Sequence, residues 1–262
     1  MYFENKTVWI TGASSGIGEA LAYEFARQGA NLVLSGRNME ALQRVAQGCA
    51  GAKVFIQPLD LSVHGDLPGI TKTVLEKTGG VDVLVNNAGL SQRSLAKDTT
   101  FEVDKKLVQV NLLGTIALSK AILPHFLGKK AGHYIVITSL MGKFGAPMRS
   151  GYAAAKHGLH GFFDALRAEL WQENVKVTLI CPGFVQTNIS VNALTGEGVS
   201  QGTMDAATSK GMRPEVLARK ILNVARQGRE EACFGGKEVL GVYLKRFFPR
   251  LLSKIIRKAK VT

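Results

Sequence analysis

Tyr152 and Lys156 stand four residues apart in a stretch of helical apolar period, so both side chains fall on one face of that helix. A free phenol, with a pKa near ~10, is a poor proton relay at neutral pH. A lysine cation beside it favours the phenolate and draws it toward operating pH. Ser139 comes thirteen residues before Tyr152, directly after the apolar run HYIVIT, so its hydroxyl is expected at the C-terminal end of a strand. A hydroxyl and a tuned phenol at one place can hold and protonate a carbonyl oxygen. Taken singly, Tyr152 is as well explained as a packing aromatic, Lys156 as a solvated cation and Ser139 as a turn residue.

A second group could hold phosphate. The turn Gly12-Ala13-Ser14-Ser15-Gly16-Ile17-Gly18 follows the apolar run TVWIT and precedes a helical pattern from Glu19 to Gln28. Small residues there let backbone N–H groups approach a pyrophosphate, and a helix N-terminus favours the anion. The glycines are not spaced as G-x-G-x-x-G, and an ordinary glycine-rich turn is the plain alternative. The next apolar run ends Ser35-Gly36-Arg37-Asn38, with a cation where an acid would repel a 2′-phosphate. Arg37 can stack on adenine and pair with a phosphate, which predicts NADP(H) over NAD(H). Asp60, closing the third run, is expected either at the adenine edge or as a helix N-terminal acid.

These residues require elements to place them. Strand-length apolar runs at 7–11, 31–36, 53–60, 81–89, 133–139 and 175–183 alternate with helical patterns at 19–28, 38–48, 66–78, 103–127, 151–171 and 214–227. Strands that are apolar throughout belong to a sheet covered on both faces, and repeated βα units make it parallel. The expected fold is a single doubly wound α/β domain of Rossmann type, with a mostly parallel sheet flanked by helices. The body is assigned to residues 1–236 and a basic amphipathic tail to 237–262. Within the body, 189–212 is rich in Gly, Ser and Thr and reads as a substrate loop or lid. Met204 and Met212 are candidates to line it, or to pack in the core.

Composition sets limits. With 46% hydrophobic residues, 20% charged, 29 Gly and 7 Pro in 262 residues, a disordered or collagen-like chain is excluded. Cys49, Cys181 and Cys233 lack zinc spacing, and with five scattered histidines no metal site is expected. A reducing compartment and buried thiols are the expected reading. No apolar run approaches the ~20 residues of a membrane span. MYFENKTVWITGASSG lacks the pattern of a signal peptide, so a cytoplasmic protein is expected.

The net charge of +13 is uneven: residues 237–262 carry eight Lys or Arg against Glu238 alone. A terminal excess without interleaved aromatics does not describe a nucleic-acid binder. Leu244, Phe247, Phe248, Leu251, Leu252, Ile255 and Ile256 recur at helical spacing, with Arg246, Arg250, Lys254, Arg257 and Lys258 mainly opposite. Such a helix lies on an anionic lipid surface through residues 244–262, or docks on its own domain or a sister subunit. Pro249 suits a first helical turn, so a helix is expected to start near Phe248.

Taken together, TGASSGIG, Asn86-Asn87-Ala88-Gly89, Asn111, Ser139, Tyr152-x-x-x-Lys156, Pro182-Gly183 and Thr187 resemble the short-chain dehydrogenase/reductase family from about residue 7 to 190. Leu90-Ser91-Gln92-Arg93-Ser94-Leu95, Ile180-Cys181-Pro182-Gly183 and the basic tail look like the member-7 subgroup of the dehydrogenase/reductase proteins. The resemblance implies an NAD(P)-dependent oxidoreductase acting on a small-molecule carbonyl or alcohol. Tyr152 would then donate the proton to a carbonyl oxygen, and Ser139 would hold the same oxygen. Lys156 would hold the nicotinamide ribose, and Asn111 a water of the proton relay. Asn87, Ala88 and Gly89 would pass beside the adenosine and ribose; Asn87 would equally tie the central sheet together, which is the main role implied for Asn86. Pro182, Gly183, Val185 and Thr187 would meet the nicotinamide. A homodimer or homotetramer through the Asn111 and Tyr152 helices is implied as well. Reduction of an apolar, lipid- or steroid-like ketone or aldehyde with NADPH is the leading expectation. Alcohol oxidation on the same site and a cofactor-binding, membrane-associated regulator without turnover are the alternatives. Arg93 stands where it could meet an anionic substrate group or form a surface salt bridge.

Overall fold

The computed structural model describes residues 1–259; Lys260, Val261 and Thr262, the end of the basic tail, lie outside the described residues. Seven strands form one sheet: β1 (Thr7–Thr11), β2 (Asn31–Gly36), β3 (Val54–Pro58), β4 (Val83–Asn86), β5 (Gly132–Ile137), β6 (Val175–Pro182) and β7 (Glu231–Phe234). Their order is β3-β2-β1-β4-β5-β6-β7. Every pairing is parallel, so the expected mostly parallel sheet is parallel throughout. The order reverses direction beside β1, and a crevice opens there at the strands' C-terminal ends.

The inner strands are buried on both faces, which is why their sequences do not alternate, while the edge strands β3 and β7 are only partly covered. In β1, Val8 and Ile10 join one apolar layer and Trp9 the other. The first layer holds Leu21 and Phe25 of α1 (Gly16–Arg27), Leu42 and Val45 of α2 (Met39–Gly48) and Leu217 and Ile221 of α8 (Pro214–Arg226). The second holds Val74 of α3 (Leu67–Thr78), Ile122 and Phe126 of α5 (Thr115–Lys129) and Leu159 and Phe163 of α6 (Ser150–Glu169). Trp9, at the sheet centre, donates its indole N–H to Ser35 Oγ over 2.9 Å, so its one polar atom is satisfied.

Several expectations need correction. Residues 103–127 are not one regular helix. α4 (Phe101–Val108) passes into a π-helical segment, Gln109–Gly114, and then into α5. The wide turn brings Asn111 into the interior, the kind of local departure that marks functional positions. The joined run Phe101–Lys129 is also long and apolar enough to cross a membrane by length and composition, contrary to the sequence expectation; Leu107, Leu118, Ile122 and Phe126 within it are buried in the domain. β7 carries little strand signal in the sequence, since only Ala232, Cys233 and Phe234 are apolar between charged and glycine-rich neighbours. It pairs with β6 in a register that sets Cys181 beside Cys233, so two thiols far apart in sequence are neighbours.

The tail is two helices rather than one stripe: α9 (Leu240–Phe247) and α10 (Pro249–Ile256), broken at Phe248 ahead of Pro249. Leu252 is buried against Leu140, Phe144 and Cys181, with Leu244 and Ile256 beside it. Phe247 and Phe248 are 68% and 63% exposed. The apolar residues therefore divide between an inward and an outward face. The loop 189–212 contains a short helix, α7 (Ala206–Ser209).

Candidate active site

A cavity of about 900 Å³ runs across the C-terminal ends of the strands. Gly12, Ser14, Ser15, Gly16, Ile17, Arg37, Asp60, Asn87, Ala88 and Gly89 line one part. Ser139, Tyr152, Lys156, Pro182, Gly183, Val185 and Thr187 line the other. Gly18 and Asn111 are not among the lining residues and stand behind its wall.

At the first part, β1 ends in Thr11, whose hydroxyl accepts the N–H groups of Asn87 (3.0 Å) and Ala88 (3.1 Å) and donates to Val85 O. The Asn87 amide donates to the carbonyls of Thr11 (2.9 Å) and Gly12 (3.2 Å). The turn and the end of β4 are thus tied into one floor. Gly12 has φ +64°, and a Cβ there would lie 2.8 Å from the Ala88 backbone. A Cβ on Gly18 would sit 2.2 Å from Gly12 O, so this residue lets α1 press against the turn. Ser15 occupies the N-cap of α1 without a side-chain cap, which leaves the first N–H groups of the helix to meet an anion. The donors and the glycine surface therefore suit a dinucleotide pyrophosphate.

Asp60 Oδ1 accepts from Ser62 N (2.8 Å) and Ser62 Oγ (2.7 Å), so the carboxylate caps its own turn. Burial resists its ionisation, but the Ser62 hydrogen bonds and the Arg37 and Lys106 charges outweigh that and hold the carboxyl below its ordinary range. Asn86 donates to Ser119 Oγ over 2.9 Å, a link between β4 and α5.

At the second part, Ser139 follows β5 by two positions and Tyr152 lies in the first turn of α6. Lys156 Nζ donates to Ile137 O over 2.8 Å and stands 5.8 Å from the Tyr152 ring centroid. Burial pushes the Lys156 ammonium down to about 8. Burial also raises the Tyr152 phenol, opposed by a hydrogen bond with Ser139 and by the charges of Arg149 and Arg93. Two arginines are therefore cations that counter burial at the phenol, in addition to the nearby Lys156 to which the sequence pointed. Asn111 is wholly buried: its Oδ1 accepts from Leu90 N (2.7 Å) and its Nδ2 donates to Leu90 O (2.9 Å). Its side chain thereby fixes the segment that follows Gly89.

That segment holds what sequence reasoning missed. Gln92 Oε1 accepts from Gly151 N (2.9 Å) and Tyr152 N (3.2 Å), setting the start of α6. Arg93 is buried, not a surface ion pair. Its Nε donates to Asp205 Oδ2 (2.8 Å), its Nη2 pairs with the same oxygen, and its Nη1 donates to Ser91 Oγ (2.8 Å) and Gln92 O (2.7 Å). Arg149 Nη2 lies 3.7 Å from Asp205 Oδ2. Asp205 belongs to the loop over the cavity, so an ionic cluster latches that loop to the site. Ile189, Leu194, Gly198 and Thr208 of the loop line the cavity. Met204 is largely exposed and Met212 packs on the core, its N–H donated to Phe184 O; neither is a lining residue. The tail contributes Leu240, Leu244, Leu252, Ile255 and Ile256 to the same wall. Their amphipathic spacing was visible in the sequence, but not the surface they would cover.

A phosphate-receptive turn, a half-buried serine and a buried tyrosine and lysine at the C-terminal edge of a doubly wound parallel sheet define the nucleotide-binding oxidoreductase class. Comparison with known proteins narrows this. The family model described as short chain dehydrogenase matches residues 6–198. The chain is 38% identical over 262 residues to "Dehydrogenase/reductase SDR family member 7B" of Mus musculus, covering 97% of this chain and 81% of that protein. It is 44% identical over 237 residues to the Anopheles gambiae "Dehydrogenase/reductase SDR family protein 7-like", covering 87% and 75%. Among solved structures, an archaeal alcohol dehydrogenase from Thermococcus sibiricus complexed with 5-hydroxy-NADP is similar, with TM-score 0.76, 30% identity and coverage of 89% and 97%. A Burkholderia phymatum short chain dehydrogenase/reductase in complex with NAD shares the fold, with TM-score 0.86, 24% identity and 96% coverage of both chains. The chain belongs to the short-chain dehydrogenase/reductase family.

Proposed function

We propose that this chain is an NADPH-preferring carbonyl reductase that converts an apolar, lipid- or steroid-like ketone or aldehyde to an alcohol. One observation carries the reading: Ser139, Tyr152 and Lys156 face the same cavity as the glycine turn and Arg37. The cofactor, when bound, supplies the hydride. The N–H groups at the start of α1 hold its pyrophosphate, and Arg37 its 2′-phosphate. Lys156, with Nζ anchored on Ile137 O, orients the nicotinamide ribose, while Val185 and Thr187 meet the carboxamide. The Ser139 hydroxyl donates to the substrate oxygen. The Tyr152 hydroxyl hands its proton to the same oxygen as charge develops there. The aliphatic wall of Leu194, Leu244, Leu252 and Ile256 excludes water and suits an apolar substrate. Asn111 acts behind the wall, through the Leu90 backbone and the relay water that the family resemblance implies.

The test is a panel of ketones with NADPH and alcohols with NADP⁺, followed by nicotinamide absorbance, in the wild type and in Tyr152→Phe. Tyr152→Phe is expected to lower kcat by on the order of 10³-fold with cofactor affinity nearly unchanged. Near-normal turnover in that variant rejects the mechanism. Turnover by neither protein on any substrate favours the non-catalytic regulator.

The tail favours a location. Tyr243, Phe247, Phe248, Leu251 and Ile255 are exposed beside Lys245, Arg246, Arg250 and Lys254, the chemistry of a helix resting on anionic lipid. The reading is a cytoplasmic homo-oligomer, meeting its partner through the Asn111 and Tyr152 helices, with a body at 1–236 and a tail at 237–262 that touches membranes peripherally. Co-sedimentation with phosphatidylserine vesicles is expected for the wild type and weakened at least tenfold in Phe247→Ser/Leu251→Ser. Equal binding removes the membrane contact.

A further inference from the structure

Behind the nicotinamide end lies a group of side chains that the reductase chemistry leaves unused. Cys181 of β6 and Cys233 of β7 are directly paired in the parallel register. Neighbouring strands run about 4.8 Å apart, inside the ~4.4–6.8 Å between Cα atoms that a disulfide needs. Side chains at paired positions leave the same face, and both thiols pack against Leu140, Phe144 and Leu252. The two sulfurs are close enough for each to perturb the other's proton.

Polar neighbours complete the group. His160 Nε2 is 3.7 Å from Cys181 Sγ and 3.1 Å from Thr138 Oγ1. His160 Nδ1 is 3.5 Å from Glu231 Oε2, and Lys143 pairs with the same carboxylate. Cys181 is fully buried and Cys233 half-buried, so an oxidant reaches Cys233 first.

We infer that Cys181 and Cys233 form an oxidisable dithiol, a second reactive site in which Cys233 takes up hydrogen peroxide and Cys181 resolves it. The Cys233 thiolate attacks one peroxide oxygen, the O–O bond breaks, and sulfenic acid and hydroxide result. The Cys181 sulfur then attacks the Cys233 sulfur; the S–O bond breaks and the oxygen leaves as water, carrying the Cys181 proton. Two thiols are oxidised and one peroxide is reduced to water. The Cys181 hydrogen bond, with a smaller contribution from the Lys143 charge, holds the Cys233 thiol below its ordinary range against burial and the Glu231 charge. Thiolate character at the outer sulfur is what the first step needs. Cys49 sits apart, its thiol pushed up to about 11 by burial, and serves as an internal control.

The test treats the full chain with stoichiometric hydrogen peroxide, alkylates under denaturing conditions, and maps peptides by mass spectrometry. The expected result is joint loss of Cys181 and Cys233 alkylation, a linked peptide between them, Cys49 fully alkylated, and reversal by dithiothreitol. In Cys181→Ser, Cys233 is expected to stop at sulfenic acid, trapped by dimedone. In Cys233→Ser, peroxide uptake at Cys181 is expected to fall at least tenfold. Absence of the linked peptide, or oxidation of Cys49 at the same rate, overturns the proposal. Because the readout is the disulfide-linked pair of peptides, it is independent of whether the reductase reading holds.

Discussion

The two ends of the cavity are built by different means. The dinucleotide end is a main-chain turn tied together by two short side chains: the Thr11 hydroxyl and the Asn87 amide each bond backbone groups of the facing segment, and the nearby ion pair, Arg44 with Glu19, is partly exposed. The substrate end is side chain. Segments around Arg93, Arg149 and Asp205, drawn from three parts of the chain, meet in a buried ionic cluster. Such a cradle is sensitive to substitutions that add a Cβ at Gly12 or Gly18 or that remove the Thr11 hydroxyl or the Asn87 amide. A buried ionic cluster fails when any one member is removed.

The largest effect that would sharpen this contrast is on stability. Asp205→Ala strips the carboxylate from two buried guanidinium groups and is expected to cost about 3–5 kcal/mol. Glu19→Ala at the exposed pair should cost less than ~1 kcal/mol. Urea denaturation of both variants checks the pair of values, and equal costs would break the comparison. The next effect is on cofactor choice. Arg37→Ala is expected to lower the NADPH-to-NADH preference about tenfold, or ~1.4 kcal/mol, with little loss of stability. Ratios of kcat/KM for the two cofactors decide this, and an unchanged ratio rejects Arg37 as the phosphate residue.

The smallest effect lies at the far edge of the sheet. A His160 hydrogen bond, opposed by burial and helped by Lys143, brings the Glu231 carboxyl down to about 2 from its usual 4.5. A lowered carboxylate stabilises the fold above its unfolded pKa, and that stabilisation is lost as pH falls through the window from 4.5 to about 2. Lys143→Met should therefore lose less stability than the wild type between pH 5 and 3 while starting from a lower value at pH 7. Denaturant midpoints at those three pH values test the sign.

What could be read from the sequence follows the same division. Strand, glycine turn and helix succeed one another within one short segment, so Gly12 to Gly18 announced themselves. Tyr152 and Lys156 share a helical face by spacing alone. Arg93 and Asp205 are 112 positions apart, and no local pattern joins them. The partnership of Cys181 and Cys233 depends on the register of β6 with β7, a strand of four residues with little apolar signal. The π-helical turn at Asn111 sits inside a run whose apolar period is helical, and only its pairing with Leu90 shows why the regular period is interrupted.

The latch on Asp205 also bears on how molecules come and go. Lifting the loop at that point would strand a carboxylate and two guanidiniums at once, so the loop is hinged shut on its arginine side. The rim supplied by α10, where Leu252 and Ile256 pack with Leu140 and Phe144, is held by aliphatic contacts that part and re-form without separating charge. Separating that rim therefore costs less than lifting the Asp205 latch, and it lies on the flank that also carries the basic residues of the tail.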